Sequence, residues 1–139
     1  EDFQNLLDLH NARLMRPEIR VRLCNTKPFF GPGTVTLLRQ IDSMGNVREA
    51  CALCGISYSK GWNIIHDCEN ELGYRIVERQ PGGKDGGRST LSEHGRKLIL
   101  LYEQLEREMN EIAQQKFNEI FLHGDWLKKS NRYGDMGNE

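Results

Sequence analysis

The sequence lacks any long run of apolar residues. A run such as Leu98 to Leu101 is far shorter than the roughly 20 residues that a helix needs to cross a bilayer. The first residues, Glu1-Asp2-Phe3-Gln4, are acidic and polar and do not resemble a secretory signal. We therefore expect a cytoplasmic protein with no membrane partner.

The spacing of the cysteines indicates no disulfide framework. The four cysteines are Cys24, Cys51, Cys54 and Cys68. The pair Cys51 and Cys54 has CxxC spacing, but it lies inside a predicted helix and has no second pair at zinc-finger distance. The favoured interpretation is four reduced thiols that act as small core hydrophobes. The alternative is a redox or metal sensor that uses Cys51, Cys54 and either His66 or Cys68.

Catalytic patterns are also missing. No Ser/His/Asp or Cys/His set stands out, and the four histidines have no metal-ligand spacing. Residues 82–89 (GGKDGGRS) nearly match the phosphate-binding loop GxxxxGK[ST]. That loop works where a strand leads into a helix N-terminus, whereas residues 89–91 continue as a strand. We expect no enzyme, no metal site and no cofactor.

Basic charge is not in excess. Lys and Arg number 19 against 20 acidic residues, for a net charge of −1, which opposes nucleic-acid binding because phosphate contacts favour a basic surface. The distribution is uneven, however. Residues 75–97 contain six basic and three acidic residues, whereas residues 103–119 contain five Glu against two basic residues. One region can therefore face phosphate while another is acidic and solvated.

The N-terminal third has weak signals of regular structure. Residues 1–18 form a segment with loose helical spacing, which Pro17 ends. The apolar residues Ile19, Val21 and Leu23 alternate with polar ones, which predicts a half-exposed strand. Residues 25–28 then form a turn, and Phe29 and Phe30 a short return strand. A small hairpin is therefore predicted before the first core helix.

Three helices are predicted in quick succession after this hairpin. Residues that favour helix ends separate them: Gly45, Asn46, Gly55, Ser57 and Gly73. The third helix carries an inward face of Gly61, Ile64, Ile65, Cys68 and Leu72. Glycine inside a helix costs about 1 kcal/mol relative to alanine, so we expect a close approach of the preceding helix at Gly61. A short helix, a tight turn and a longer helix together predict a helix-turn-helix.

The segment after the third helix predicts a wing. Residues 75–79 form a strand, residues 80–87 a glycine-rich loop and residues 88–91 the returning strand. Ser92 then caps a long helix, and the composition after Gly124 is that of a flexible tail. The predicted fold is mainly α with small β. Its parts are an N-terminal segment (1–18), a winged helix-turn-helix (19–91), a long dimerisation helix (92–123) and a tail (124–139).

These motifs resemble those of a known family. The segments ISYSKGW (56–62), ENELG (69–73), VER (77–79), GGKDGG (82–87) and LSEHGR (91–96) resemble the N-terminal domain of ModE-type molybdate-responsive regulators. More distantly, they are similar to the LysR-type winged helix. The resemblance implies a transcription regulator that binds palindromic DNA as a dimer. Full-length ModE-type proteins carry molybdate-binding domains after the long helix, where this sequence ends, so molybdate sensing is not carried over.

In this architecture the first turns of the third helix reach base edges in the major groove. The expected DNA contacts are Arg48, Ser57, Tyr58, Ser59, Lys60, Asn63, Arg79, Gly83, Lys84 and Arg88. For three of these residues the sequence leaves a purely structural role open. Ser57 can act only as the N-cap of the helix, and Asn63 and Arg79 can be solvated surface residues. Trp62 fits core packing or a DNA contact.

The long helix predicts self-association. Leu98, Tyr102, Leu105, Met109 and Ile112 recur in steps of four and three, as in a coiled-coil seam. The alternative is that this stripe packs on its own domain. A homodimer would present two reading helices to successive major grooves and bind an inverted repeat. The competing function is a winged-helix module that binds protein through the acidic helix and tail and does not bind DNA.

Overall fold

The computed structural model describes residues 15–82 and 87–122. Its elements in chain order are β1 (Leu23–Cys24), β2 (Pro28–Phe30), α1 (Pro32–Met44), α2 (Val47–Leu53), α3 (Tyr58–Leu72), β3 (Val77–Gln80), β4 (Arg88–Leu91) and α4 (Glu93–Phe121). The chain divides into a compact unit of residues 20–105 and a second unit of residues 1–19 and 106–139.

The N-terminal hairpin of the first unit exists but is shorter than predicted. β1 and β2 pair antiparallel, with Leu23 opposite Phe30, Cys24 opposite Pro28 and an irregularity between them. Beyond the Leu23–Phe30 pair the described residues offer no partner strand, because α1 begins at Pro32, two residues after Phe30. The predicted strand at Ile19 and Val21 is therefore wrong, because regular pairing covers Leu23–Cys24 alone among the described residues before β2.

The ends of the three central helices are where the sequence predicts them. Gly45 and Gly73 follow α1 and α3 with φ of 71° and 83°, a left-handed conformation that glycine adopts without strain. At the start of α2, the Glu49 N–H donates to Asn46 Oδ1 at 2.8 Å. Side-chain caps of this kind satisfy backbone donors that have no partner within the helix.

Gly61 brings α3 against α2. A Cβ built on Gly61 would overlap the Sγ of Cys51 and would also lie 3.8 Å from the Cδ1 of Ile56. Both Gly61 and Cys51 are buried. The predicted close approach at this glycine is confirmed, and it explains why the helix tolerates the loss of helix propensity there.

The wing begins two residues later than predicted. β3 starts at Val77, and it pairs with β4 in the register Val77–Leu91 and Gln80–Arg88. The carboxylate of Glu69 in α3 accepts from the Ile76 N–H at 2.8 Å and from the Val77 N–H at 3.2 Å. Because the Ile76 and Val77 N–H groups donate to Glu69 of α3, regular pairing with β4 begins only at Val77.

Ser92 and Gly45 attach the wing to the helices. Buried Ser92 donates its hydroxyl to the Arg75 carbonyl at 2.6 Å and accepts from the Gly95 N–H at 3.0 Å, which caps α4. Within β4, the Ser89 N–H donates to the Gly45 carbonyl at 3.0 Å. The base of the wing is thus bonded to the start of α4 and to the turn between α1 and α2.

Two ion pairs join α1 to the first part of α4. Arg96 donates to both oxygens of Asp42 at 2.7 and 2.9 Å, and Arg39 to both oxygens of Glu103 at 2.6 and 3.1 Å. Two-bond arginine–carboxylate pairs have a defined orientation. They hold the first part of α4 against α1.

The core of this unit is a single apolar cluster drawn from every element. Its largest fully buried side chains are Phe30, Leu37, Leu38, Ile41, Cys51, Ile65, Cys68, Ile76 and Ile99. Tyr102 joins this cluster: its ring meets Phe30 edge-on at 5.2 Å, and its hydroxyl donates to the Val21 carbonyl at 2.6 Å. The residues that the sequence predicts as the inner face of α3 are buried or half-buried here.

In the second unit, Asn110 binds the backbone of Ile19. Its Oδ1 accepts from the Ile19 N–H at 2.8 Å and its Nδ2 donates to the Ile19 carbonyl at 3.0 Å. The N–H and the carbonyl of Ile19 are thereby both hydrogen-bonded to a side chain, so they do not pair with a neighbouring strand. The N-terminal segment predicted over 1–18 lies outside the described residues up to residue 14, as do residue 123 and the whole predicted tail (124–139).

The fold is therefore mainly α with two small sheets, a winged helix-turn-helix as predicted. Among the residues described, no helix is both long and apolar enough to cross a membrane.

Replacing Gly61 with alanine tests the contact between α2 and α3. Gly61→Ala should lower the free energy of unfolding by about 1–3 kcal/mol, the usual cost of overpacking a core, although alanine is the better helix former by about 1 kcal/mol. Urea denaturation followed by circular dichroism measures this change.

Gly33 in α1 provides the matched control, since a Cβ built there meets nothing within 4 Å. Gly33→Ala should be neutral or slightly stabilising. Adding Cys51→Ala to Gly61→Ala should restore part of the lost free energy of unfolding, because it removes the sulfur that the new Cβ overlaps. Equal effects of the two glycine replacements would contradict the close-contact explanation.

Candidate nucleic-acid interface

One face of α3 is polar and open to solvent. Ser59, Lys60 and Asn63 are exposed on it, opposite the buried Gly61 and Ile65. Side chains on this face are the ones that a groove-bound helix presents to base edges. The structure thus places three of the predicted contact residues together on an accessible helix surface.

The same face extends further than the sequence analysis proposed. His66, Asp67 and Asn70 are also exposed. They follow Asn63 at helical spacings of three, four and seven residues. This spacing was available in the sequence, because it is the complement of the buried positions along α3.

Ser57 serves as the N-cap of α3. Its Oγ accepts from the Lys60 N–H at 3.1 Å. The capping role that the sequence left open for this hydroxyl is therefore present. Ser57 itself is exposed at the helix N-terminus, where backbone donors favour an anion.

Arg48 and Tyr58 come together from different helices. The guanidinium carbon of Arg48, on α2, lies 4.0 Å from the centre of the Tyr58 ring. This is a cation–π contact, worth about 0.5–1 kcal/mol at an exposed site. Two residues that are predicted as separate DNA contacts are thus in contact with each other in the structure.

Trp62 is the centre of a row of aromatic side chains along α3. Its ring stacks on His66 at 5.2 Å, meets Tyr58 edge-on at 6.4 Å and lies 5.5 Å from the guanidinium carbon of Arg79. Trp62 is half-buried and packs against the apolar core. Of the two roles considered for it, the packing role is present.

Arg79 and Arg88 lie on different strands of the wing and contact different neighbours. Arg79 lies on β3 beside Trp62, and Arg88 opens β4 with its guanidinium close to Gly45, in the turn before α2. Gly83 and Lys84, the predicted contacts at the wing tip, lie outside the described residues. The structure therefore locates the two arginines of the wing strands.

The arginines fall into two groups by their partners. Arg39 and Arg96 are neutralised by carboxylates within 2.7 Å. For Arg48 and Arg79, no carboxylate of the described residues lies within 4.0 Å. Arg96 was counted with the basic segment 75–97, but its charge is used within the scaffold. Arg48 and Arg79, the two arginines next to the aromatic row, are thus uncompensated by any carboxylate of the described residues.

Two of the four cysteines, Cys51 and Cys68, are buried thiols. Burial raises the pKa of the Cys68 thiol to about 12, and this thiol donates to the Phe29 carbonyl. Burial also raises the pKa of Cys51. A buried thiol with a raised pKa is a poor nucleophile and a poor metal ligand. In residues 15–82 and 87–122, no group of three or more His, Cys, Asp or Glu is placed to hold a metal.

The predicted seam on α4 is divided between two environments. Tyr102 is only 3% exposed and belongs to the core, and Leu98 is half-buried against that core. Leu105 and Ile112 remain 41% and 48% exposed, and Met109 is half-buried. The alternative that the stripe packs on its own domain thus describes Tyr102 and Leu98, and it does not describe Leu105 and Ile112.

Comparison with known proteins identifies similar regulators. The chain is 37% identical over 107 residues to the transcriptional regulator ModE of Yersinia pestis, which covers 76% of this chain and 39% of that protein. It is 33% identical over 114 residues to the DNA-binding transcriptional dual regulator ModE of Escherichia coli, which covers 81% of this chain and 42% of that protein. ModE of Haemophilus influenzae is 34% identical over 80 residues. No protein-family profile matches the chain.

These similarities confirm the resemblance to ModE-type transcriptional regulators. They extend over most of this chain, which spans about two fifths of the length of the first two relatives.

Proposed function

We propose that this chain, which is similar to ModE-type transcriptional regulators over about four fifths of its length, binds double-stranded DNA to regulate transcription. The observation that carries the proposal is the solvent-exposed polar face of α3, with arginines beside it that have no carboxylate partner. Exposed polar groups on a helix can bind base edges. Uncompensated guanidinium groups can bind phosphates.

In the proposed complex α3 lies in the major groove. Asn63 presents a side-chain amide, which pairs with the N6 and N7 atoms of adenine. Lys60 is one turn nearer the helix start and binds guanine or phosphate, while Ser59 adds a hydroxyl that accepts or donates. The capped N-terminus at Ser57 faces a phosphate, as helix N-termini do.

The wing contributes contacts that do not depend on sequence. Arg88 and Lys84 bind phosphate or the minor groove, and Gly83 permits the backbone to approach. Arg88 is suited to this because β4 is bonded to the turn between α1 and α2, so its position relative to α3 is defined. These contacts fix the register of the protein on DNA.

A homodimer through α4 would complete the binding surface. The exposed apolar residues Leu101, Leu105 and Ile112, of which Leu101 is 52% exposed, follow one another at spacings of four and seven. We propose that they form the seam with Leu98 and Met109, and that Leu101 replaces Tyr102. Two copies related by a two-fold axis would bind an inverted repeat.

The second candidate is a module that binds protein without binding DNA. It is favoured by the acidity of α4, in which Glu103, Glu106, Glu108, Glu111 and Glu119 outnumber the basic residues. Such a surface would repel DNA and bind a basic partner. Salt-dependent DNA binding distinguishes the two functions.

Wild-type protein should bind inverted-repeat duplexes selected from a random library, with an affinity that falls steeply as salt rises. The logarithm of the association constant should decrease by about 0.9 per phosphate contact for each unit of log salt, because each contact releases counterions. Fluorescence anisotropy measures this. Negligible binding at low salt would overturn the DNA-binding proposal and favour the protein-binding module.

Substitutions in the wing and in α3 should have different effects. Lys84→Ala combined with Arg88→Ala should weaken binding broadly across sequences and flatten the salt dependence, since phosphate contacts carry no sequence information. Asn63→Ala should instead relax the preference at one base pair, at a cost of about 1–3 kcal/mol. Repeating the library selection with each variant measures both effects. If the wing pair changes nothing, the wing assignment is wrong.

The dimer seam can be tested with two leucines on different faces of α4. Leu105→Glu should convert the dimer to a monomer in analytical ultracentrifugation, because it buries a charge in the seam. The matched control is Leu100→Glu: Leu100 is 62% exposed but lies about 140° around the helix from Leu105, given 3.6 residues per turn. A wild-type monomer at micromolar concentration, or equal effects of both charges, would contradict this seam.

A further inference from the structure

We propose that Tyr58 and Trp62 are positioning residues: each holds one arginine from a neighbouring element in place for a phosphate contact. Tyr58 holds Arg48 of α2, and Trp62 holds Arg79 of β3. This inference rests on the proposed DNA-binding function. It assigns Tyr58, which the sequence analysis took as a base contact, to a different task.

The aromatic row has the geometry of a support. Tyr58 and Trp62 are one helical turn apart on the same side of α3, and their rings meet edge-on at 6.4 Å. Trp62 is fixed further by the core and by His66, whose ring is stacked 5.2 Å away with 24° between the planes. A half-buried ring held by several contacts is a rigid surface for a mobile side chain.

Each arginine meets its own ring. The guanidinium carbon of Arg48 is 4.0 Å from the Tyr58 ring centre, and that of Arg79 is 5.5 Å from the Trp62 ring centre. A cation within about 6 Å of a ring centre is attracted by the negative face of the ring. The two contacts come from opposite directions in the chain, since α2 precedes α3 and β3 follows it.

This arrangement leaves the guanidinium groups available for phosphate. The five N–H donors of arginine lie in the plane of the group, so a cation–π contact does not consume them. In the described part of the chain no carboxylate competes for Arg48 or Arg79. By contrast, Arg39 and Arg96 direct their donors at Glu103 and Asp42.

Ordering the arginines before binding has an energetic consequence. A free arginine side chain loses about 2 kcal/mol of rotamer entropy when it is immobilised. A side chain that already rests on a ring has lost part of that freedom, so its phosphate contact costs less at the moment of binding. In a chain with a net charge of −1, a small number of ordered arginines therefore contributes more to the DNA-binding affinity than the same number of freely moving ones.

Double-mutant cycles on DNA affinity test this coupling directly. The four single variants are Tyr58→Leu, Trp62→Leu, Arg48→Ala and Arg79→Ala, measured by anisotropy on one fluorescein-labelled duplex. Removing either ring should weaken binding about two- to fivefold, the equivalent of a cation–π contact at an exposed site. In a protein that already lacks the matching arginine, removal of the ring should have no further effect.

The crossed pairs are the matched controls. Trp62→Leu should keep its full effect when Arg48 is replaced, and Tyr58→Leu should keep its effect when Arg79 is replaced, each within about a factor of two. Trp62→Phe retains a ring face and should preserve most of the affinity. Thermal melts identify any variant that does not fold, and the Tyr58–Arg48 cycle then decides the proposal without Trp62.

Failure of this inference can be told apart from failure of the proposed function. If wild-type protein binds DNA and the matched pairs are additive, the rings do not act through the arginines and the inference alone is overturned. If wild-type protein does not bind DNA at low salt, both are overturned.

Discussion

The close contact between Gly61 of α3 and Cys51 of α2 is the constraint on which the rest of the structure depends. Because a Cβ on Gly61 would overlap the Cys51 sulfur, the two helices can pack in this way only with glycine at that position. Their contact determines how α3 is rotated about its axis. That rotation in turn determines that Ser59 and Asn63 are exposed and that the aromatic row lies beside the wing.

The same scaffold decides which charges remain available. Arg39 and Arg96 hold α4 against α1 through Glu103 and Asp42, and Glu69 receives the N–H groups that start the wing. These carboxylates are therefore occupied within the fold. Arg48 and Arg79, which have no such partner among the described residues, lie against aromatic rings near the outward face of α3. A near-neutral chain thus keeps a local surface of uncompensated positive charge, a property that its net charge does not indicate.

Local features of the sequence were reliable predictors where the physics is local. Asn46, Ser57 and the glycines after α1 and α3 mark helix ends because capping depends on the backbone and side chains within a few residues. The strand at Ile19 and the start of β3 were misplaced, because side chains of other elements bind the backbone groups concerned: Asn110 of α4, far away in the chain, and Glu69 of the preceding helix α3. Tyr102 was assigned to a dimer seam because its spacing on α4 fits one. Spacing alone cannot distinguish a residue that faces its own core from one that faces a partner.

The sequence by itself determined the order and ends of the helices, the presence of a wing and the resemblance to ModE-type regulators, since each of these is encoded in short segments. Only the tertiary structure decided which side chains are free to act. It joined Arg48 to Tyr58 and Arg79 to Trp62, placed Tyr102 in the core and neutralised Arg96. The reason is that a side chain's availability depends on partners brought near it by packing, and such partners are not neighbours in the sequence.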